Sequence, residues 1–458
     1  MRRLSWLLVA GLSAGLAAED DPFGENFEEG FGDIETDTTA AQSNLYVSTR
    51  VFHRGQLNTQ QGSPEAGETD HRGLSSFAFG LQPRLEWRPG DRFDAVVDVR
   101  LSRDWVFDLR DSTDWKDPYR DQRETRVDWE EALVRYQTGA WAVSTGRQVL
   151  TWGFNDALSI QEVVNAPRMS QPGLYEPEEA RQARWLSEAR IYLGGWTLQG
   201  VVAHENRMAE QPVYGSDYYP LDVELDDRTP AHGWDEPANH TGGARLSGVW
   251  QGIDLAAFGW SGYNPTGHVL FEPGEIRREY ERFTTVGAGL SVPISDAVLK
   301  AELTHEQGLT YAPVSMQTVG GQMVPVSGDT AETERWSAAF GLDISLPEDT
   351  RLLIEYQLRH LPDYTDAMET NLGDETQVGW ALGLEHTTWR DQLTLSGAVL
   401  GFGDDFEGGQ ITRFSADWAI NDQWRTELGY VAYLEGDTKL LEQAQDNDRL
   451  YWQVDYFF

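Results

Sequence analysis

Between Ser76 and Trp87 the chain places Phe77, Phe79, Leu81, Leu85 and Trp87 on one parity and Ala78, Gly80, Gln82, Arg84 and Glu86 on the other. A period of two predicts a β-strand with one apolar face. The next segment repeats it: Phe93, Ala95, Val97, Val99 and Leu101 oppose Asp94, Asp98, Arg100 and Asp104, across a tight turn at Arg88-Pro89-Gly90-Asp91. Trp336, Ala338, Phe340, Leu342 and Ile344 share one face further on, as do Val378, Trp380, Leu382 and Leu384. Near the end, Thr412, Phe414, Ala416, Trp418 and Ile420 oppose Arg413, Ser415 and Asp417, and Trp424, Thr426, Leu428 and Tyr430 oppose Arg425, Glu427 and Gly429. Such segments number about 18, with about 16 the alternative.

The connections fall into two kinds. Short turns are expected at 138–140, 194–195, 250–252, 293–296, 347–350, 387–391 and 421–423. Long polar loops are expected at 57–75, 109–125, 149–183, 205–240, 261–277, 307–331, 361–374 and 434–448. Short turns at one rim and long loops at the other predict an all-β fold, a transmembrane antiparallel up-and-down β-barrel with periplasmic turns and extracellular loops. Trp87, Trp141, Trp196, Trp250, Trp389 and Trp424 stand beside the short turns, where an interfacial girdle belongs. The last strand alternates through Leu450, Trp452, Val454 and Tyr456 to a terminal Phe458 and resembles the C-terminal signal read by the barrel assembly machinery.

Composition narrows the classes. With no Cys there is no disulfide framework, thiolate site or cysteine nucleophile. The 75 acids against 36 Lys and Arg argue against a nucleic-acid partner, which would need a basic stripe. No stretch after the N-terminus holds the roughly 20 apolar residues of a membrane helix, whereas a barrel needs only alternate residues apolar. At the start, Arg2 and Arg3 precede an apolar run from Leu4 and then small residues, the order of a secretory signal peptide over 1–18, cleaved after Ala17 or Ala18. Its removal takes two bases and no acids, leaving 34 against 75. Residues 19–43 are expected to form an acidic periplasmic tail, with nine acids and no base from Glu19 to Asp37, and 44–458 the barrel. The expected location is the outer membrane of a Gram-negative bacterium, in contact with its lipid and lipopolysaccharide.

By the alternation, Arg84, Arg100, Arg135, Arg190, Arg245, Arg413 and Arg425 point into the lumen, with Glu86, Asp98, Glu131, Glu188, Asp417 and Glu427. These arginines either line a path for a polar or anionic solute or brace adjacent strands through carboxylates; most strands that supply an Arg supply an acid nearby, which favours bracing. Loop 149–183 is the candidate constriction. Asn155 and Asp156 could cap a helix through Val164, and Glu176-Pro177-Glu178-Glu179 has the proline and acids of a helix start running into Arg181. Its candidate site residues are Asp156, Glu162, Arg168, Glu176, Glu178, Glu179 and Arg181.

The run Gly146-Arg147-Gln148-Val149-Leu150-Thr151-Trp152-Gly153, followed by Asn165-Ala166-Pro167-Arg168, resembles a Gly-Arg-Gln and Trp-Gly signature of alginate-export-like porins and related outer-membrane porin families. The resemblance covers about 50 residues. It implies substrate passage through a monomeric barrel with Arg147 and Arg168 near the constriction. Arg147 shares the apolar parity of Trp141, Val143 and Thr145, so it requires a bulge or a place above the bilayer.

No His-Glu-x-x-His helix is present, the Gly-x-Ser-x-Gly run Gly11-Leu12-Ser13-Ala14-Gly15 falls inside the expected signal peptide, and no cofactor or metal is expected. His305 with Glu306 and His204 with Glu205 read as rim residues. The acidic runs at 222–227 and 446–448 lack a complete calcium-loop pattern. The expected function is therefore non-enzymatic: passive transport of small or medium polar solutes through a porin-like channel. An export conduit for polysaccharide or hydrophobic cargo is the alternative, and a barrel enzyme or plugged surface-binding barrel the third.

Overall fold

The computed structural model describes residues 44–64, 67–110, 113–175, 179–404 and 408–458. The expected signal segment and acidic tail, together with Glu176 and Glu178, lie outside the described residues.

Eighteen strands close into one barrel. In chain order they are β1 (Leu45–Asn58), β2 (Gly73–Gly90), β3 (Phe93–Asp104), β4 (Thr125–Gln137), β5 (Trp141–Gln148) and β6 (Arg184–Leu193). Then come β7 (Trp196–Ala203), β8 (Thr241–Trp250), β9 (Ile253–Tyr263), β10 (Arg282–Ile294), β11 (Ala297–Tyr311) and β12 (Ala331–Leu346). The last third is β13 (Thr350–His360), β14 (Thr376–Thr388), β15 (Leu393–Phe402), β16 (Gln410–Ala419), β17 (Trp424–Leu434) and β18 (Arg449–Phe457). Each strand pairs antiparallel with its sequence neighbour, and β1 closes on β18 from Arg50↔Phe457 to Asn58↔Arg449. Closure leaves no edge, so every strand satisfies its backbone against two neighbours.

The connections keep to two rims. The β8–β9 turn is Gln251-Gly252, both with positive φ, the two-residue geometry that matches strand twist. At the other rim loop 149–183 joins β5 to β6, while 403–409 between β15 and β16 is a shorter connection that the sequence pattern does not separate from its strands. Four short α-helices lie in the described loops, at Val106–Leu109, Asp117–Arg123, Glu369–Leu372 and Lys439–Ala444, with a 3-10 turn at Pro237–Asn239. A hairpin, Val314–Val319 with Gln322–Ser327, stands above the barrel.

Alternation decides what each face meets. On β12, Trp336 and Phe340 are exposed outward while Arg335, Ser337, Ala339 and Asp343 are buried inward. Leu382, Leu384, Leu395, Phe414 and Leu428 continue the outward apolar surface, which is the pattern a strand shows when lipid rather than water lies outside. Trp87, Trp141, Trp250, Trp389 and Trp424 are exposed at the short-turn rim, and Trp196 is half-buried there.

Candidate functional site

The segment before the loop explains how the chain turns into the lumen. Gly146 has φ of 133°, and a Cβ there would lie 2.2 Å from the Ala132 carbonyl oxygen, so the close approach of β4 requires glycine. Gln148 accepts from Ser144 at 3.1 Å, and its carbonyl accepts from Asn165 Nδ2 at 3.2 Å. Trp152 is 1% exposed and packs against Phe258 and Trp260, with ring centroids 5.4 and 5.8 Å apart. Gly153 donates to Glu162 Oε1 at 2.8 Å, and a Cβ on it would stand 1.9 Å from Ser159 Oγ. These residues fold the loop back on itself and inward.

The near half of the loop lies against β11 and β13. Glu302 accepts from the backbone N–H of Phe154 at 2.5 Å, of Asn155 at 2.8 Å and of Ile160 at 2.8 Å, and from the Ser159 hydroxyl. Glu355 accepts from the N–H of Asp156, Ala157 and Leu158 at 2.6, 3.0 and 2.6 Å. The Asp156 carboxylate accepts from Lys300 at 2.9 Å and from Arg351 at 2.8 Å. Beneath, Ala157 and Leu158 rest on Leu353 and Ala381.

This overturns the expected helix from Asn155 to Val164: no residue of the described loop is helical. The N–H groups that a helix would turn toward its own carbonyls are drawn instead to two wall carboxylates, a charge-assisted set stronger than amide pairs. Arg181 also lies outside any helix; it stands 3.5 Å from Glu162 and donates to Thr151 at 3.2 Å.

The far half reaches the opposite wall by side chains. Glu179 is clasped by Arg54, one of whose bonds is 2.8 Å, and by Arg100 at 2.9 Å. Arg168 faces Asp128 at 3.3 Å, Glu130 at 3.6 Å and Glu210 at 3.7 Å. Glu210, from loop 204–240, accepts from Arg126 twice at 2.9 Å, from Ser170 at 2.9 Å and from Tyr175 at 3.1 Å. Burial alone would push the Glu210 carboxyl up, but Arg126 and Arg168 bring it down to about 2. Burial is likewise overcome by Arg100 and Arg54 at Glu179, which is held well below the usual carboxylate range. A cavity of about 110 Å³ remains beside this half, bordered by Arg54, Arg100, Arg126, Arg168 and Glu179.

Above that cavity the outer loops meet. Asp217 of loop 204–240 is ion-paired with Arg449, both fully buried, and Tyr218 donates to or accepts from Tyr433 at 2.7 Å. His71 Nε2 donates to the Gly215 carbonyl at 3.0 Å, while its buried Nδ1 has no hydrogen-bond partner among the described residues.

The seven arginines that the alternation turns inward separate, among the described residues, into a braced majority and one exception. Arg84 pairs with Glu86, Asp98 and Glu131 at 2.8, 3.1 and 2.8 Å. Arg135 pairs with Asp94 at 3.7 Å, Arg413 with Glu427 at 3.0 Å, and Arg425 with Asp417 at 2.8 Å. Arg190 pairs with Glu188, and Arg100 with Glu130 and Glu179. Arg245 has no carboxylate at ion-pair distance among the described residues and lies over the Phe154 ring, 5.9 Å from its centroid. Arg147 is not at the constriction: it keeps outward parity at the end of β5 and pairs with Glu205 at 2.5 Å, on the far side of the wall from the lumen. Sequence reasoning missed Arg54, Arg126, Lys300, Glu302, Arg351 and Glu355. Their inward parity was readable; their use by the loop was not.

The fold and this inward loop define an architecture, a closed 18-strand antiparallel up-and-down barrel with a loop turned into its lumen. The chain is similar in fold to Acinetobacter baumannii OccAB3, with a TM-score of 0.50, 10% identity and coverage of 91% of this chain and 99% of that one. It is similar also to OccAB4 of the same organism, with a TM-score of 0.50, 8% identity and coverage of 91% and 98%. No family model matches the chain, and no curated protein matches it. At such identities the likeness is one of fold.

Proposed function

We propose that the protein is an outer-membrane channel for passive passage of small or medium polar solutes, narrowed by loop 149–183. The observation that carries this reading is the loop's two-sided attachment, near half on Glu302 and Glu355, far half on Arg54, Arg100 and Asp128. A loop tied to both walls divides a lumen that an 18-strand barrel otherwise leaves wide. The apolar outward belt supports contact with outer-membrane lipid and lipopolysaccharide, and the alternating strand to Phe458 supports handling by the barrel assembly machinery.

The Gly-Arg-Gln and Trp-Gly segment supports kinship with alginate-export-like porins. Among the described residues most of the inward arginines pair with acids, which favours small solutes over a polyanion. The test is single-channel conductance and ion selectivity in a planar bilayer, with and without 150–182. Stable conductance that rises on deletion is expected. No conductance from either folded barrel would reject the channel.

A further inference from the structure

The outward face carries a hydrogen-bonded chain that has no part in the lumen. Thr145 on β5 stands opposite Ser187 on β6, their hydroxyl oxygens 2.9 Å apart. Ser187 Oγ lies 2.9 Å from His204 Nε2. His204 Nδ1 lies 3.1 Å from His240 Nε2, and His240 Nδ1 lies 2.9 Å from the Pro237 carbonyl oxygen. The last contact orders the rest. A carbonyl can only accept, so His240 Nδ1 carries hydrogen and, in the neutral ring, Nε2 offers a lone pair. His204 Nδ1–H then donates to it, which leaves His204 Nε2 as the lone pair facing the Ser187 hydroxyl.

A serine bonded to the Nε2 of a histidine whose Nδ1–H is fixed by a third group is the geometry of an activated nucleophile, recognised by roles rather than by sequence order. Burial, and then the neighbouring His240, lower the pKa of His204 from its ordinary value, so the ring is a free base at neutral pH. Loop 204–240 holds the pair in place: Gly233 N–H donates to the His204 carbonyl at 2.8 Å, and a Cβ at Gly233 would lie 2.8 Å from the His240 ring.

The place of the group on the wall indicates its substrate. Ser187 is one step below Trp185 on the outward parity of β6, and Ile191 and Leu193 follow it toward the short-turn rim. Trp185 and Trp234 are exposed beside it with ring centroids 6.3 Å apart, an aromatic pair of the kind that marks the membrane interface. Lipid acyl esters lie close to the interface that such a pair marks.

We propose that Ser187 and His204, with His240 positioning the base, cleave acyl esters of outer-leaflet lipids at the outer surface of the barrel. Ser187 Oγ attacks the ester carbonyl while His204 Nε2 takes the hydroxyl proton. Thr145, whose hydroxyl stands 2.9 Å from Ser187 Oγ, is the donor beside the developing oxyanion. Collapse breaks the bond to the alcohol oxygen, which receives the proton from His204, and leaves acyl-Ser187. Water attacks the acyl group, giving its proton to His204, and fatty acid leaves as that proton returns to Ser187.

The test uses the full barrel refolded into vesicles, with folding checked by heat-modifiability on gels. Phosphatidylethanolamine vesicles form one arm and lipid A vesicles the other, beside treatment with a fluorophosphonate. A covalent adduct on Ser187 and fatty acid release from at least one vesicle type are expected, and the arm that responds identifies the lipid. Ser187→Ala should abolish both, and His204→Asn should lower release about a thousandfold. His240→Ala should lower kcat with little change in KM and alter the pH profile, and His240→Gln, which keeps an acceptor, should restore part of it. A folded wild-type barrel that forms no adduct and releases no more fatty acid than Ser187→Ala in either arm would overturn the proposal.

Discussion

The two halves of loop 149–183 reach opposite walls by different chemistry. The near half offers backbone: six N–H groups between Phe154 and Ile160 point at the carboxylates of Glu302 and Glu355. The far half offers side chains, with Glu179 and Arg168 set among Arg54, Arg100, Asp128 and Glu210. A backbone latch is indifferent to most loop side chains and depends on two wall residues. A side-chain clasp depends on charge at both ends, so it responds to substitution in the loop and to pH.

The largest effect should come from the wall side of the latch. Glu355→Ala leaves three buried N–H donors without an acceptor, at about 1–3 kcal/mol each. The near half should then leave β13, seen as raised conductance and as protease cleavage near Leu158. Asp156→Asn should do much less, because Lys300 and Arg351 hold a side chain and not the backbone. Equal effects from the two substitutions would erase the distinction between the halves.

Next in size is the clasp. Arg168→Met leaves Glu210 with Arg126 but removes a buried cation from Asp128 and Glu130; breaking one side of a buried pair costs about 3–5 kcal/mol, reduced here because each acid keeps another partner. The expected result is a lowered midpoint of chemical unfolding and loosened exchange over 166–175, with 154–160 still protected. Acid gives the same contrast. Glu210, held at about 2, and Glu179, also held down, contribute stability that is complete above their ordinary value near 4.5 and is lost as pH falls toward 2. Hydrogen exchange at pH 3 should show the far half opening; unchanged protection there would refute the charge-clasp account.

Much of the barrel is legible in a period of two, because lipid outside and water inside force each strand to declare its faces. The alternation from Trp336 to Ile344 is the register seen in β12, and the placement of Arg84 beside Glu86 and Asp98 follows from the same parity. The site was less legible for a physical reason. Asn155 and Asp156 carry the local marks of a helix start, yet acceptors from strands more than 140 residues away in sequence capture those N–H groups. Local propensity cannot report a partner supplied by tertiary closure. The Trp152-Gly153 step is different, since its glycine is demanded by a neighbour in the same loop and so leaves a trace in sequence.

The smallest predicted effect concerns the outer loops above the clasp. His71 donates from Nε2 to Gly215, and its buried Nδ1 faces no acceptor, so a second ring proton would find no partner. Burial lowers its pKa, and Arg449 and Arg110 add to this against the pull of Asp217. Tyr119 and Trp115 pack edge-on against the ring and supply no carboxylate. Because the closed arrangement depresses the pKa of a base, its stability is complete above the ordinary value of 6.5 and declines as pH falls below it. The limit is about 1.4 kcal/mol per pH unit. Amide exchange around 67–75, corrected for its intrinsic pH dependence, should therefore accelerate between pH 7 and 5.5 while the clasp, whose carboxylates stay ionised in that window, does not change. His71→Asn should remove that step. Acceleration persisting in the variant would place the sensitivity elsewhere and leave the two regions without separate pH ranges.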